Sequence, residues 1–115
     1  MFFSANMSLG VNLLIHLAKE AAKLLENSFD IEIIEKHHNQ KLDAPSGTAL
    51  AIADAINEVC QRYKEYTYDR HSRRAKRLKD EIGIHSLRGG TIVGEHDIIS
   101  AGADEIIDFK HTAAS

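Results

Sequence analysis

The hydrophobic period of this chain switches from helical to strand-like and back within its first 63 residues, and that order of periods narrows the folds open to it. Val11, Leu14, Ile15, Ala18, Ala22 and Leu25 recur in steps of three and four, which places them on one face of a helix over about 9–26. Ser8 stands where an N-cap is needed and Asn27 where the helix should end. "FDIEIIEKHH" then alternates, with Phe29, Ile31 and Ile33 on one side and Asp30, Glu32 and Lys36 on the other. This is the pattern of a half-buried strand, and it carries His37 in the same row as the apolar residues. Ala49, Ile52, Ala53, Ile56, Cys60 and Tyr63 return to helical spacing, with Ser46 or Thr48 as cap just after Pro45. Beyond a polar stretch over about 64–80, "IGIHSLRG", "TIVGEHDIIS" and "EIIDFKHTA" are three further strand candidates. Gly89-Gly90 and Ala101-Gly102 punctuate them as hairpin turns. Helix, strand, helix and three strands predict an α+β fold: an open mixed or antiparallel sheet of about four strands with the helices packed on one face.

At 115 residues, 43% apolar and 27% charged, the chain has the size and composition of one globular domain. No apolar run approaches the roughly 18 residues of a membrane span. The opening "MFFSANMSLG" lacks a basic start and a long apolar core, so no signal peptide is expected, and the Asn6-Met7-Ser8 sequon has no secretory context. The single Cys60 has no internal partner, which fits a reducing cytoplasm. Net charge is −3, yet "RHSRRAKRLK" at 70–79 holds six Lys/Arg and no acid. A nucleic-acid reader would add stacking aromatics or a recognisable motif, and only Tyr63, Tyr66 and Tyr68 lie near. A solvated, mobile basic loop is therefore expected there, with neither nucleic acid nor membrane as partner.

The chemistry concentrates in "EKHHNQKLDAPSGTALAIADA", Glu35 to Ala55. Ser46-Gly47-Thr48 opens a helix, where unpaired N–H groups and the helix dipole attract an anion, and Gly47 lets a ligand approach the backbone. His38 and Lys41 add positive charge just before it. Taken alone, "PSGTA" is also a well-capped helix after a proline turn, and it lacks the spacing of a Walker loop. An imidazole titrates near pH ~6.5, so one of His37 and His38 can act as a general acid. The pair with Asp43 could ligate zinc, but no third soft ligand has metal spacing, so no metal is expected. His16, His85, His96 and His111 read as structural histidines. In "RGGTIVGEH" the Gly89-Gly90 turn is explained by a hairpin, and no catalytic role is assigned there.

"EKHHNQKLDAPSGTA" resembles the signature of 4-hydroxy-tetrahydrodipicolinate (dihydrodipicolinate) reductases, enzymes of the diaminopimelate route to lysine. The resemblance continues through "SANMSLGVNLL" before it and "RGGTIVGEH" and "FKHTAAS" after it, and is weakest over 64–80. It implies a two-domain enzyme in which an N-terminal Rossmann domain binds NADPH or NADH. The α+β C-terminal domain would bind the small cyclic dicarboxylate substrate and build a homotetramer through its sheet. On that resemblance His37 is the general acid/base and Lys41 a second proton donor. His38, Ser46, Gly47 and Thr48 hold the substrate's carboxylates, and Ser4, Ala5, Asn6 and Met7 form a hinge touching the nicotinamide. Residues 1–8 would then be a hinge from a missing dinucleotide-binding domain, and 9–115 the substrate-binding and tetramerisation domain, cut short at its C-terminus. No GxGxxG fingerprint is present, so this polypeptide alone is not expected to reduce its substrate. The other reading is an autonomous oligomerisation module with a vestigial dicarboxylate site.

Overall fold

The computed structural model describes residues 8–115. Ser4, Ala5, Asn6 and Met7, expected at the cofactor, lie outside the described residues. Seven elements follow in order: α1 (Leu9–Leu25), β1 (Asp30–His37), α2 (Gly47–Val59), β2 (Glu65–Thr67), β3 (Glu81–Arg88), β4 (Gly94–Gly102) and β5 (Glu105–Ala113). They form one open sheet in the order β2-β3-β1-β4-β5. The sheet is mixed: β1 runs parallel to β3 and antiparallel to β4, β2 is parallel to β3, and β4 and β5 are antiparallel.

α1 begins where Ser8 accepts a bond from Val11 N–H at 3.2 Å, replacing one of the partners that a helix start lacks. Its buried stripe of Val11, Leu14, Ala18 and Ala22 is the one that the spacing predicts. α2 begins with Ser46 as cap, accepting from Ala49 N–H at 3.1 Å, and ends at Val59, four residues before Tyr63. Register places Ile31 beside Ile82, and Ile33 between Ile84 and Ile98. These isoleucines, with Leu14, Ala18, Ala22, Ala49, Ile52, Ala53 and Ile56, make a single core between the sheet and both helices. Ile33, Ile52 and Ile82 are wholly buried, each worth about 1.5–3 kcal/mol over an exposed side chain. Both helices therefore cover one face, as expected.

The strand count and two turns are corrected. The sheet gains a fifth strand, because β2 lies inside the stretch expected to be loop; three residues are too short to show a period. The Gly89-Gly90 turn is not a hairpin, because β3 and β4 do not pair; β1 lies between them. The turn instead arches over the end of β1, with Gly89 N–H donating to the His37 carbonyl at 3.0 Å and Asn39 N–H to that of Gly90 at 3.2 Å. Gly90 has φ +50°, a conformation that favours glycine. The β4–β5 hairpin turns two residues later than expected: Gly102 pairs with Glu105, and Asp104 takes the left-handed conformation with φ 64°.

The basic segment is not wholly solvated either. Arg70 donates to Glu32 at 2.9 and 3.2 Å, Arg77 Nε to Glu32 at 3.0 Å, and Arg77 Nη1 to Asp30 at 3.2 Å. Glu32 also accepts from Gly83 N–H at 2.9 Å and lies 2.7 Å from His85 Nε2. The segment is thereby clasped to the sheet face opposite the helices. Arg73, Arg74 and Lys76 remain exposed. A second clasp closes the helical side: Glu26 accepts from Gln61 N–H, Arg62 N–H and buried Lys64 at 2.8, 3.1 and 2.7 Å. Among the described residues no helix is long and apolar enough to cross a membrane.

Candidate functional site

At one end of the sheet, the helix-facing rows change from apolar to polar. Ile31 and Ile33 are followed by Glu35 and His37 on β1, Ile82 and Ile84 by Ser86 and Arg88 on β3, and Ile98 by His96 and Gly94 along β4. β1 is central, so these groups stand side by side at the mouth of the fold, and the N-terminus of α2 closes over them.

Glu35 is the hub. Its side chain is 0% exposed, which an ionised carboxylate tolerates only with full hydrogen bonding. It receives that from three segments. Ser46 N–H donates to Oε2 at 2.6 Å, Arg88 donates to both oxygens, and His37 Nδ1 lies 3.2 Å from Oε1. Burial by itself raises the Glu35 pKa, but Arg88, the Ser46 N–H and His37 outweigh it and hold it down at about 2. Arg88 also donates to the Asp43 carbonyl at 2.7 Å, fixing the loop that leads into Pro45.

His96, almost fully buried, lies edge-on to His37 with ring centres 5.3 Å apart and planes at 72°. Burial and the neighbouring His37 push its pKa down to about 4, so it is neutral at pH 7. Ser46 Oγ accepts from Ala49 N–H, which leaves its O–H free to point at His96 Nε2, 3.2 Å away. His111 pairs with His96 across the β4–β5 ladder and packs against Gly10, where a Cβ would stand 2.7 Å from its ring.

Of the residues expected from the sequence, the structure brings His37 and Ser46 into this network. Gly47 and Thr48 form the first turn of α2, where backbone N–H groups have no partner within the helix, and a Cβ at Gly47 would meet nothing within 4 Å. His38 is exposed on the adjoining turn, its Nδ1 accepting from Gln40 N–H at 3.2 Å. Lys41 lies on the same turn with its ammonium 3.0 Å from Asp43. The arrangement sets an imidazole, an ammonium and a helix N-terminus on adjoining segments at this end of the sheet, which is the chemistry needed to orient a carboxylate and move a proton.

Sequence reasoning missed Glu35, Arg88 and His96 as members of the site. One signal was available. Glu35 occupies the same row as Ile31 and Ile33, and His96 the same row as Ile98, and a polar group in a buried row needs a partner. Arg88 ends the row of Ile82 and Ile84 in the same way, but its partner Glu35 is 53 residues away in sequence, so the pairing itself was not readable.

Comparison with known proteins agrees with this geometry. The family model described as "Dihydrodipicolinate reductase, C-terminus" matches residues 10–115. A 4-hydroxy-tetrahydrodipicolinate reductase of Caldanaerobacter subterraneus subsp. tengcongensis is 64% identical over 99% of this chain and 45% of its own length. The reductase of Staphylococcus epidermidis is 54% identical over 99% of this chain and 47% of its own. A solved structure, "Dipicolinate bound Dihydrodipicolinate reductase from Paenisporosarcina sp. TG-14", superposes with a TM-score of 0.76 at 32% identity, covering 96% of this chain and 42% of that one. The chain thus spans a little under half the length of these relatives. With residues 10–115 matched by the family model and close relatives over 99% of its length, the chain belongs to the family of dihydrodipicolinate reductase C-terminal domains.

Proposed function

We propose that this chain is the dicarboxylate-binding part of a 4-hydroxy-tetrahydrodipicolinate reductase, which reduces 4-hydroxy-tetrahydrodipicolinate to tetrahydrodipicolinate in the cytoplasmic diaminopimelate route to lysine. The observation that carries this reading is the polar end of the sheet, where His37 and the start of α2 are fixed to one another through Glu35. In a protein of this family, such a junction sets a proton-exchanging group beside an anion-binding helix end.

Within this reading His37 is the general acid/base. Lys41 is a second proton donor, reaching the ligand by leaving Asp43, an exposed partner that holds it weakly. The N–H groups of Gly47 and Thr48, with His38, receive the ligand's two carboxylates. Ser46 shapes the cap, because its N–H is taken by Glu35 and its Oγ by Ala49 and His96. The reductant is NADPH or NADH. The described residues do not fit a dinucleotide: the only glycine-led helix start after a strand among them is Gly47, a single glycine between Ser46 and Thr48 with no glycine-rich turn before it. The dinucleotide belongs to the rest of a longer protein, with Ser4, Ala5, Asn6 and Met7 as the hinge toward it. The sheet face opposite the helices, with Leu87 44% exposed and Ile106 68% exposed, supports assembly into a homotetramer.

Calorimetric titration with pyridine-2,6-dicarboxylate tests the reading. One-site binding is expected, weakened at least about tenfold in a His38→Ala/Lys41→Ala double variant by loss of two charge-assisted contacts. A folded chain that binds no dipicolinate would leave it as an oligomerisation module with a vestigial site.

A further inference from the structure

His37 has two ring nitrogens, and which of them carries the proton decides what it can do for a ligand. The nitrogen facing Glu35 is Nδ1, 3.2 Å from Oε1. An ionised carboxylate offers only acceptors, so Nδ1 must be the donor. The other nitrogen faces Gly94, where a Cβ would stand 3.3 Å from Nε2 and 3.5 Å from Cδ2. Glycine leaves that nitrogen uncovered. The remaining neighbour is neutral His96, edge-on at 5.3 Å, whose Nε2 is directed at Ser46 Oγ rather than at His37.

We propose that Glu35 is a positioning residue for His37: its carboxylate fixes the neutral imidazole as the Nδ1–H tautomer and leaves Nε2, on the Gly94 side, as the nitrogen that exchanges the proton. Arg88 and the Ser46 N–H serve this by holding the carboxylate in place. The depressed pKa of Glu35 supports the same view, since the group stays an ionised acceptor at neutral pH. This inference rests on the reading of His37 as the general acid/base.

A merely structural Glu35 would tie β1, α2 and β3 together without regard to the tautomer, and Glu35→Gln separates the two cases. The amide has one acceptor end and one donor end. With its NH2 at the Oε2 position it would face both the Ser46 N–H and an Arg88 N–H. Placed at Oε1, the NH2 opposes only Arg88 and donates to His37 Nδ1. That second orientation has fewer conflicts, and it forces the imidazole to the Nε2–H tautomer.

The experiment is long-range 1H–15N correlation of the histidine rings in the 15N-labelled chain, at a pH where His37 is neutral. His37 is identified by comparison with His37→Asn. Wild type is expected to show a pyrrole-like Nδ1 and a pyridine-like Nε2, with a preference of roughly tenfold or more from one charge-assisted bond. Glu35→Gln should reverse the two, and Arg88→Gln, which disturbs the same network but keeps the carboxylate, should not. A wild-type ring that is mainly Nε2–H overturns the proposal without any variant, even where the variants fail to fold. So does a folded Glu35→Gln with an unchanged tautomer, or an Arg88→Gln that reverses it. The ring spectra need no ligand, so their outcome is separate from that of the dipicolinate titration.

Discussion

His96 makes this fold sensitive to mild acid, and the effect can be worked from its surroundings. An unfolded imidazole takes up a proton near pH ~6.5, whereas the folded ring resists until about 4, because of burial first and the neighbouring His37 second. A depressed folded pKa in a histidine means that the unfolded chain binds the proton more readily. Stability is therefore complete above about pH 6.5 and is lost as pH falls from there toward 4. Between pH 7.5 and 5 the loss comes to about 2 kcal/mol, approaching roughly 3 below pH 4. The carboxylates do not blur this window. Glu35 and Glu26, both held at about 2, contribute stability above their unfolded pKa and lose it only as pH falls from about 4.5 toward 2. The assay is urea unfolding of wild type and His96→Gln at pH 7.5 and 5, since a glutamine amide can still bond Ser46 Oγ without titrating. Wild type should lose about 2 kcal/mol more than the variant between the two pH values. A difference under about 0.5 kcal/mol, or one of opposite sign, would refute the picture of a neutral, desolvated His96.

Three further variants probe the two clasps. Glu26→Ala strips the acceptor from Gln61 N–H, Arg62 N–H and buried Lys64 together, and should cost about 3–5 kcal/mol in urea unfolding. Lys64→Met should cost distinctly less, because Glu26 keeps both backbone donors; equal losses would contradict this order. Gly83→Ala places a Cβ against the Glu32 carboxylate, which must leave Arg70 and Arg77. Trypsin should then cut after Arg73 or Arg74 at least about threefold faster, and an unchanged rate would mean that these ion pairs do not restrain the segment.

The elements most legible in the sequence are those whose burial is one-sided and uninterrupted. α1 shows in its stripe from Val11 to Ala22 and in Ser8, and β1 in the alternation through Ile31 and Ile33. The start of α2 was readable because Ser46 is a strong cap beside the only proline. What stayed hidden depends on pairing across long separations. Two strands joined by Gly89-Gly90 look like a hairpin in sequence, and nothing local says that β1 enters between them. The same insertion brings Arg88 to one side of His37 and Gly94 to the other, so the site's missed members and the missed topology have one cause. The basic segment was misjudged for a related reason: its arginines find their acids on β1 and β3, not in neighbouring turns.

The bonds of Glu35 reach 11 residues forward to Ser46 and 53 residues forward to Arg88, so no short peptide can contain the hub and its partners. If the proposed dicarboxylate site is used, it forms only when β1, the start of α2 and β3 are assembled together, and partly folded species should have little affinity. Occupancy and global folding are then thermodynamically linked. A compound that seats at the polar end of the sheet at one hundred times its Kd should raise the unfolding free energy by about 2.7 kcal/mol. Melting temperature becomes a direct readout of occupancy, and compounds can be ranked on this chain without a catalytic assay.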